Sequence, residues 1–223
     1  MMPHEIQQDS WKQLAGEAAA KLIEDGMVIG LGSGSTAAYL IYALARRIQA
    51  GLSIVGAVPT SKVTGELASN LGIPLTDLDI DGADEIDSQL GLIKGGGGAL
   101  LREKIVASVA QRFIVLADIT KQVRQLGLKT PLPVETIPFA ATPVRKRLEA
   151  LGAIVQLRQL AGQLYLTDNN NVILDCTFPG GITDPPDLEN RIKRIVGVVE
   201  TGLFLNMASQ AIIGGPEGVK ILS

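Results

Sequence analysis

The chain has 223 residues, 46% of them apolar and 4% aromatic, with 20 Lys and Arg against 23 Asp and Glu for a formal charge of −3, and only one His and one Cys. Those single copies, His4 and Cys176, exclude the His-dependent nucleophilic triads and the zinc sites built from Cys and His, so proton chemistry falls to carboxylates or lysines. The lone Cys fits a reducing compartment, the stretch MMPHEIQQDSW shows neither the basic n-region nor the apolar h-region of a secretory leader, no run reaches the ~18 apolar residues of a membrane span, and a pI near 5.3 argues against a nucleic-acid surface.

The expectation is therefore a cytoplasmic globular protein that partners neither nucleic acid nor membrane. Its length suits one large domain or two small ones. In chain order, Trp11, Leu14, Ala15, Ala18, Ala19, Leu22 and Ile23 recur at helical spacing, Ser10 with Gln13 reads as a capping box, and Gly26 closes the helix. His4 precedes this helix in a polar stretch expected to fray. A strand follows over 27–31, a Gly-Ser loop over 32–36, a helix over 37–48, a strand over 54–58 and a helix over 62–71. Leu78 and Ile80 mark a third strand, 95–98 a glycine loop, 100–110 a helix and 113–117 a further strand. This alternation predicts an α/β domain, a Rossmann-like, mostly parallel sheet covered by helices.

After the Pro-rich stretch 129–134 the rhythm changes. Strands are expected at 134–137 and 153–157, a helix at 143–151, and a hairpin pairing 164–167 with 172–175 around Asp168–Asn171. A helix at 186–195 and a strand at 198–203 complete a βαββαβ order. That order is the ferredoxin-like split pattern of a smaller α+β domain. The tail from Asn206 reads as a helix, a Gly-Gly-Pro turn and a last strand that returns to the first domain. The division expected is 1–130 plus 206–223 against 131–205.

Three loops could carry chemistry. Gly30-Leu-Gly32-Ser33-Gly34-Ser35-Thr36 follows a strand and opens a helix, where backbone N–H groups attract anions. A dinucleotide fingerprint needs Gly where Ser35 stands, and a P-loop needs a Gly-Lys pair that is absent. An anion cradle remains, beside the plainer reading of a βα turn with Ser35 or Thr36 as N-cap. Asp77-Leu-Asp79-Ile-Asp81-Gly82-Ala83-Asp84 mimics the opening of an EF-hand, but Ser88 stands where the bidentate Glu belongs. Asp81 and Asp84 fall instead at the C-terminal end of a strand, where α/β sheets bind ligands, unless the segment is simply a solvated acidic loop.

The third loop, Lys94-Gly95-Gly96-Gly97-Gly98, precedes a helix carrying Glu103. Four glycines in a row imply close backbone approach or positive φ. A Lys, an N–H nest and a nearby carboxylate suit proton abstraction beside a carbonyl, against the plainer reading of Glu103 as a surface residue in an Arg-Glu-Lys run.

Taken together, Gly-Ser-Gly-Ser-Thr, Asp-Gly-Ala-Asp-Glu-Ile-Asp, Ile-Lys-Gly-Gly-Gly-Gly-Ala-Leu-Leu-Arg-Glu-Lys, Asp118-Ile-Thr-Lys121 and Pro133-Val-Glu135 resemble type A ribose-5-phosphate isomerase, in order from Lys12 to Lys220. The resemblance implies an aldose-ketose isomerase of the pentose phosphate pathway that uses neither metal nor other cofactor and works as a homodimer or homotetramer. It implies Glu103 as the base passing a proton between C2 and C1 through an enediolate. Asp81 is implied as the helper in ring opening and hydroxyl proton transfer, with Asp84 beside it. Lys94 with Gly95, Gly96 and Gly97 is implied as the stabiliser of the enediolate oxygen. Ser33, Gly34, Ser35, Thr36, Gly82, Ala83 and Lys121 are implied to bind substrate, and Lys12 to lie near the phosphate. Three positions depart from the family pattern: Ser33 where Thr is common, Gly98 where Ala is common, and Gly65 where many members have Glu.

Two other functions compete. A non-catalytic sugar-phosphate sensor would normally bring a DNA-binding helix-turn-helix domain, and none is expected among these 223 residues, which open directly on the first helix. A nucleotide-dependent oxidoreductase is disfavoured by the broken glycine fingerprint.

Overall fold

In a computed structural model the described residues are 3–54, 56–75, 79–110 and 112–223, with the side chains at 3–6, 28 and 109 also outside the description. In chain order the elements are α1 (Pro3–Ala20), β1 (Val28–Leu31), α2 (Ser35–Gln49), β2 (Gly56–Pro59), α3 (Lys62–Asn70), β3 (Asp79–Gly82), β4 (Glu85–Ile86), β5 (Leu92–Ile93), α4 (Leu100–Val109) and β6 (Phe113–Asp118). They continue with β7 (Leu132–Thr136), α5 (Ala141–Ala150), β8 (Ile154–Leu157), β9 (Gln159–Leu160), β10 (Gln163–Leu164), β11 (Val172–Thr177), α6 (Pro185–Lys193), β12 (Val198–Thr201), β13 (Leu203–Phe204), β14 (Ala208–Gly215) and β15 (Gly218–Leu222). Two compact units result. One is Met1–Ala83, Arg102–Gln122 and Asn206–Ser223; the other is Asp84–Leu101 and Val123–Leu205.

The first unit is a six-stranded sheet in the order β15-β14-β6-β3-β1-β2, parallel except for β15. Strand β6 is apolar and buried from Phe113 to Ala117, the signature of a strand covered on both faces. Its core joins Leu31, Ile80, Leu116 and Ile212 of the sheet to Ala15 and Ala19 of α1, Ile23 just beyond the end of α1, and Leu40, Ile41 and Leu44 of α2. Because β1 has β2 on one side and β3 on the other, successive connections diverge between β1 and β3. A crevice at the C-terminal ends of such strands is where open α/β sheets place ligands.

Several sequence expectations need correction here. Helix α1 starts at Pro3, so His4 lies within it and Ser10 and Gln13 are interior; Gln13 Nε2 donates to Glu17 Oε1 at 2.9 Å, one turn ahead, instead of closing a capping box. Helix α2 starts at Ser35 with Gly34 as its N-cap at φ 125°, so neither Ser35 nor Thr36 caps it. The helix expected after Asn206 is the strand β14. Ala211, Ile212 and Ile213 are all buried, and a continuous apolar run of that length carries no period that separates helix from strand. Leu78, expected to open the third strand, and Asp77 lie outside the described residues.

The second unit holds a four-stranded antiparallel sheet in the order β12-β7-β11-β8, with α5 and α6 as the two crossovers. Counted within the unit this is order 4-1-3-2, the ferredoxin-like arrangement. Leu132, Val134, Val144, Leu148, Val155, Leu174, Leu188 and Ile192 form its core. The hairpin expected between 164–167 and 172–175 is absent: β10 pairs with β9 across Ala161-Gly162, both at positive φ, and β11 pairs with β7 and β8. The buried carboxylate of Glu135 holds the turn at 167–171, since its Oε1 accepts from Thr167 Oγ1 at 2.9 Å and Asn171 Nδ2 at 2.8 Å.

A three-stranded ribbon, β13-β5-β4, completes this unit. The strand expected over 198–203 divides at Gly202, which donates to Pro133 O at 2.8 Å and accepts from Lys94 N at 2.9 Å. A Cβ on Gly202 would lie 2.3 Å from the Lys94 carbonyl oxygen, so only glycine lets the chain pass from the four-stranded sheet to the ribbon there.

Candidate active site

In the first unit three strand ends meet. Strand β1 runs out into Gly32 and Ser33, β3 ends on Asp81 and Gly82, and β6 ends on Asp118. Asp81 is fully buried and its carboxylate lies against the Gly32 backbone: a Cβ on Gly32 would stand 1.6 Å from Asp81 Oδ1. The absence of a side chain at 32 is therefore what admits that carboxylate. Asp81 Oδ1 also accepts from Gly82 N at 2.6 Å, so its direction is fixed by its own strand end.

Glu103 belongs to the first turn of α4 and is buried. Ser33 Oγ donates to its Oε1 at 2.8 Å, while Ser33 Oγ also lies 3.2 Å from Thr60 Oγ1. Thr60 in turn is tied to Leu31 O through its amide at 2.9 Å, which leaves its hydroxyl proton to donate to Ser33 Oγ. The carboxylate is thus aimed by a relay of two hydroxyls anchored on the end of β1. Next along the loop, Ser35 and Thr36 open a fifteen-residue helix with their amides in its first turn, where N–H groups lack intrahelical acceptors and favour an anion.

Lys121 closes a short 3-10 turn after β6 that is capped by Asp118, whose carboxylate accepts from Thr120 N at 2.9 Å. Lys12 lies on α1 with Nζ 3.3 Å from Asp9 Oδ1.

In the second unit, Lys94 leaves the end of β5, the central strand of the ribbon, and is buried with its ammonium 5.4 Å from the centre of the Phe204 ring. Such a stack stabilises a cation held away from water. The glycines that follow are not an unoccupied nest. Gly96 N donates to Asp84 Oδ2 at 2.7 Å and Gly98 N to Gly95 O at 3.0 Å. Of these four glycine N–H groups, those of Gly95 and Gly97 have no protein acceptor among the described residues. Asp84 is itself fixed by its amide, which donates to Ile93 O at 2.8 Å. Gly95 and Gly98 have φ of +99° and +86°, values that L side chains rarely adopt.

The model of the family described as ribose 5-phosphate isomerase A (phosphoriboisomerase A) matches residues 56–218. The ribose-5-phosphate isomerase A of Bacillus mycoides is 53% identical over 217 residues, which cover 94% of this chain and 97% of that protein. The chain belongs to the ribose 5-phosphate isomerase A family. The solved ribose 5-phosphate isomerase A of Methanocaldococcus jannaschii superposes with a TM-score of 0.91 at 41% identity, covering 97% of this chain and 99% of that one. A D-ribose-5-phosphate isomerase in complex with phospho-erythronic acid superposes at 0.92 with 43% identity, covering 96% and 98%. These family members share the α/β architecture and the smaller α+β portion described above.

Residues that support the family motifs escaped the sequence reading. Thr60 lies far from Ser33 in sequence and carries no motif of its own. Arg158, Tyr165 and Asp175 hold the glycine loop from the second unit's sheet, and nothing in their local spacing marks them. Only the order β11 beside β8 brings Asp175 next to the end of β8, where Arg158 follows.

Proposed function

We propose that this chain interconverts D-ribose 5-phosphate and D-ribulose 5-phosphate, with Glu103 as the base. The observation that carries the assignment of the base is the Ser33 to Glu103 hydrogen bond at 2.8 Å, which points one oxygen of a buried carboxylate by a hydroxyl of the substrate-loop motif. In the open-chain aldose, Glu103 removes the proton on C2 beside the C1 carbonyl. The electron pair moves into a C1–C2 double bond and the carbonyl oxygen gains the charge of an enediolate. Returning the proton to C1, with one hydroxyl proton moving between O2 and O1, gives the ketose.

Such a C–H is weakly acidic, so the base gains rate only if the oxygen is stabilised at the same moment. We assign that stabilisation to Lys94 with the Gly95 and Gly97 amides. Hydroxyl proton transfer and ring opening we assign to Asp81. The bond from Gly96 to Asp84 supports a different task for Asp84, bracing the loop. Ser33, Gly34, Ser35 and Thr36, with Gly82, Ala83 and Lys121, are assigned to the substrate's hydroxyls and phosphate, and Lys12 to the phosphate. We further propose a homodimeric or homotetrameric enzyme of the cytoplasm.

The test is an assay of the two pentose phosphates with excess chelator present. Interconversion at that point supports the assignment, and silence at high protein concentration contradicts it.

A further inference from the structure

The glycine loop of the second unit is held on one face by side chains that no motif includes. Arg158 Nη1 donates to Gly95 O at 2.7 Å and to Gly96 O at 3.1 Å, while its Nε donates to Asp175 Oδ2 at 2.8 Å and its Nη2 to Asp175 Oδ1. This is a bidentate guanidinium-carboxylate pair in which the remaining nitrogen is spent on two carbonyls. Tyr165 completes the row. Its hydroxyl donates to Gly97 O at 3.2 Å, and its ring packs 6.0 Å from the Arg158 guanidinium carbon.

Three consecutive glycine carbonyls are thus drawn toward the same small group. A trans peptide directs its C=O and its N–H to opposite sides, and no cis bond occurs among the described residues. Holding the carbonyls of Gly95 and Gly96 therefore sets the directions of the Gly96 and Gly97 N–H groups. The first is the one that reaches Asp84, and the second has no protein acceptor among the described residues. Glycines alone cannot fix that direction, since they populate both signs of φ freely. The Tyr165 hydroxyl also fills the space beside Gly98: a Cβ there would stand 2.0 Å from it. The family departure at 98, glycine for the common alanine, has a partner in this chain.

We propose that Arg158, locked by Asp175 and assisted by Tyr165, is a positioning residue that aims the Gly97 amide, and through Gly96 the Asp84 brace, for stabilisation of the developing oxyanion. The inference rests on the isomerase reading above. An oxyanion donor that drifts from its angle loses most of its effect in the transition state and little in substrate binding, so the signature is a fall in kcat with KM nearly unchanged.

The experiment compares wild type, Arg158→Met, Arg158→Lys, Tyr165→Phe and the surface control Arg191→Met in the pentose phosphate assay, with thermal midpoints and folded fractions measured alongside. Outright loss of an oxyanion-hole donor costs about a hundredfold to a thousandfold in kcat, and a donor kept but misdirected costs less, about tenfold to a hundredfold. Arg158→Met is expected to lose that much in kcat per folded molecule, with KM within about threefold. Arg158→Lys, which cannot span Asp175 and two carbonyls together, is expected to recover only part of it. Tyr165→Phe is expected to lose a few-fold in kcat with an unchanged thermal midpoint, which keeps the test open should Arg158→Met fold poorly. The inference is overturned if folded Arg158→Lys and Tyr165→Phe both keep kcat within twofold of wild type, or if the losses appear in KM alone. Failure of the isomerase reading shows separately, as an inactive wild type.

Discussion

The two units hold their chemical groups by different means. In the first, Asp81, Gly32 and Ser33 stand at the ends of parallel strands, so the ladder that builds the core also sets their positions, and Asp81 touches backbone directly. In the second, Lys94 leaves a two-residue strand into a run of four glycines that has little conformational preference of its own, and its geometry comes from Asp84, Arg158 and Tyr165. One arrangement is positioned by the fold, the other by a side-chain clamp. The lesson is that glycine-rich loops can supply directed amides only where something else supplies the direction.

The largest expected effect breaks the proton transfer proposed for Glu103. Glu103→Gln keeps the Ser33 hydrogen-bonding partner but removes the base, and kcat should fall by ~10²–10⁴ with a modest change in KM. Steady-state kinetics in both directions check it. Next comes Lys94→Met, which deletes the buried cation and should cost roughly 10²–10³ in kcat/KM, by the scale of losing an oxyanion donor.

Gly32→Ala sharpens the contrast. The new methyl would overlap the Asp81 carboxylate, which the strand end holds in place, so roughly 1–3 kcal/mol of stability should be lost together with activity, read by denaturant unfolding and turnover. Smaller still is Ser33→Ala, which removes one of the bonds aiming Glu103. A net hydrogen bond of about 0.5–1.5 kcal/mol translates to roughly twofold to tenfold in kcat. The smallest effect is expected at Cys176. Burial pushes its thiol well above the ordinary value near 9, and the neighbouring Asp175 charge adds to the shift. The thiol stays protonated at neutral pH, so native protein should resist maleimide labelling that the urea-unfolded chain accepts. In alkali the sign is unfavourable: the unfolded thiol ionises first, and stability should decline as pH rises past that point.

How far the sequence could be read follows the same division. Parallel strands with loops at their C-terminal ends announce themselves by apolar runs and glycines, and the placement of Ser33 and Asp81 at strand ends was legible from them. The two-residue strands β4, β5 and β13 are too short to show any period, so the ribbon that carries Lys94 was not. Nor was the clamp, because Arg158 and Asp175 become neighbours only through the pairing of β8 with β11. At the two chain ends the structure differs from the expectation in a helix boundary and in an element type. Ser10 is interior because the helix runs on N-terminal of its apolar stripe, where Gln8 Nε2 donates to Asp118 Oδ2 and Thr120 Oγ1 at the end of β6, and β14 is an apolar stretch whose partner, β6, decides its conformation.

The central claim is that a carboxylate at position 103 carries a proton between the two carbons. It is tested most directly by incubating ribose 5-phosphate with the enzyme in D2O and following deuterium at C2 of the recovered aldose and C1 of the ketose. The account predicts incorporation with wild type and a rate slower by ~10² or more with folded Glu103→Gln. Deuterium entering at the wild-type rate in that variant would contradict it.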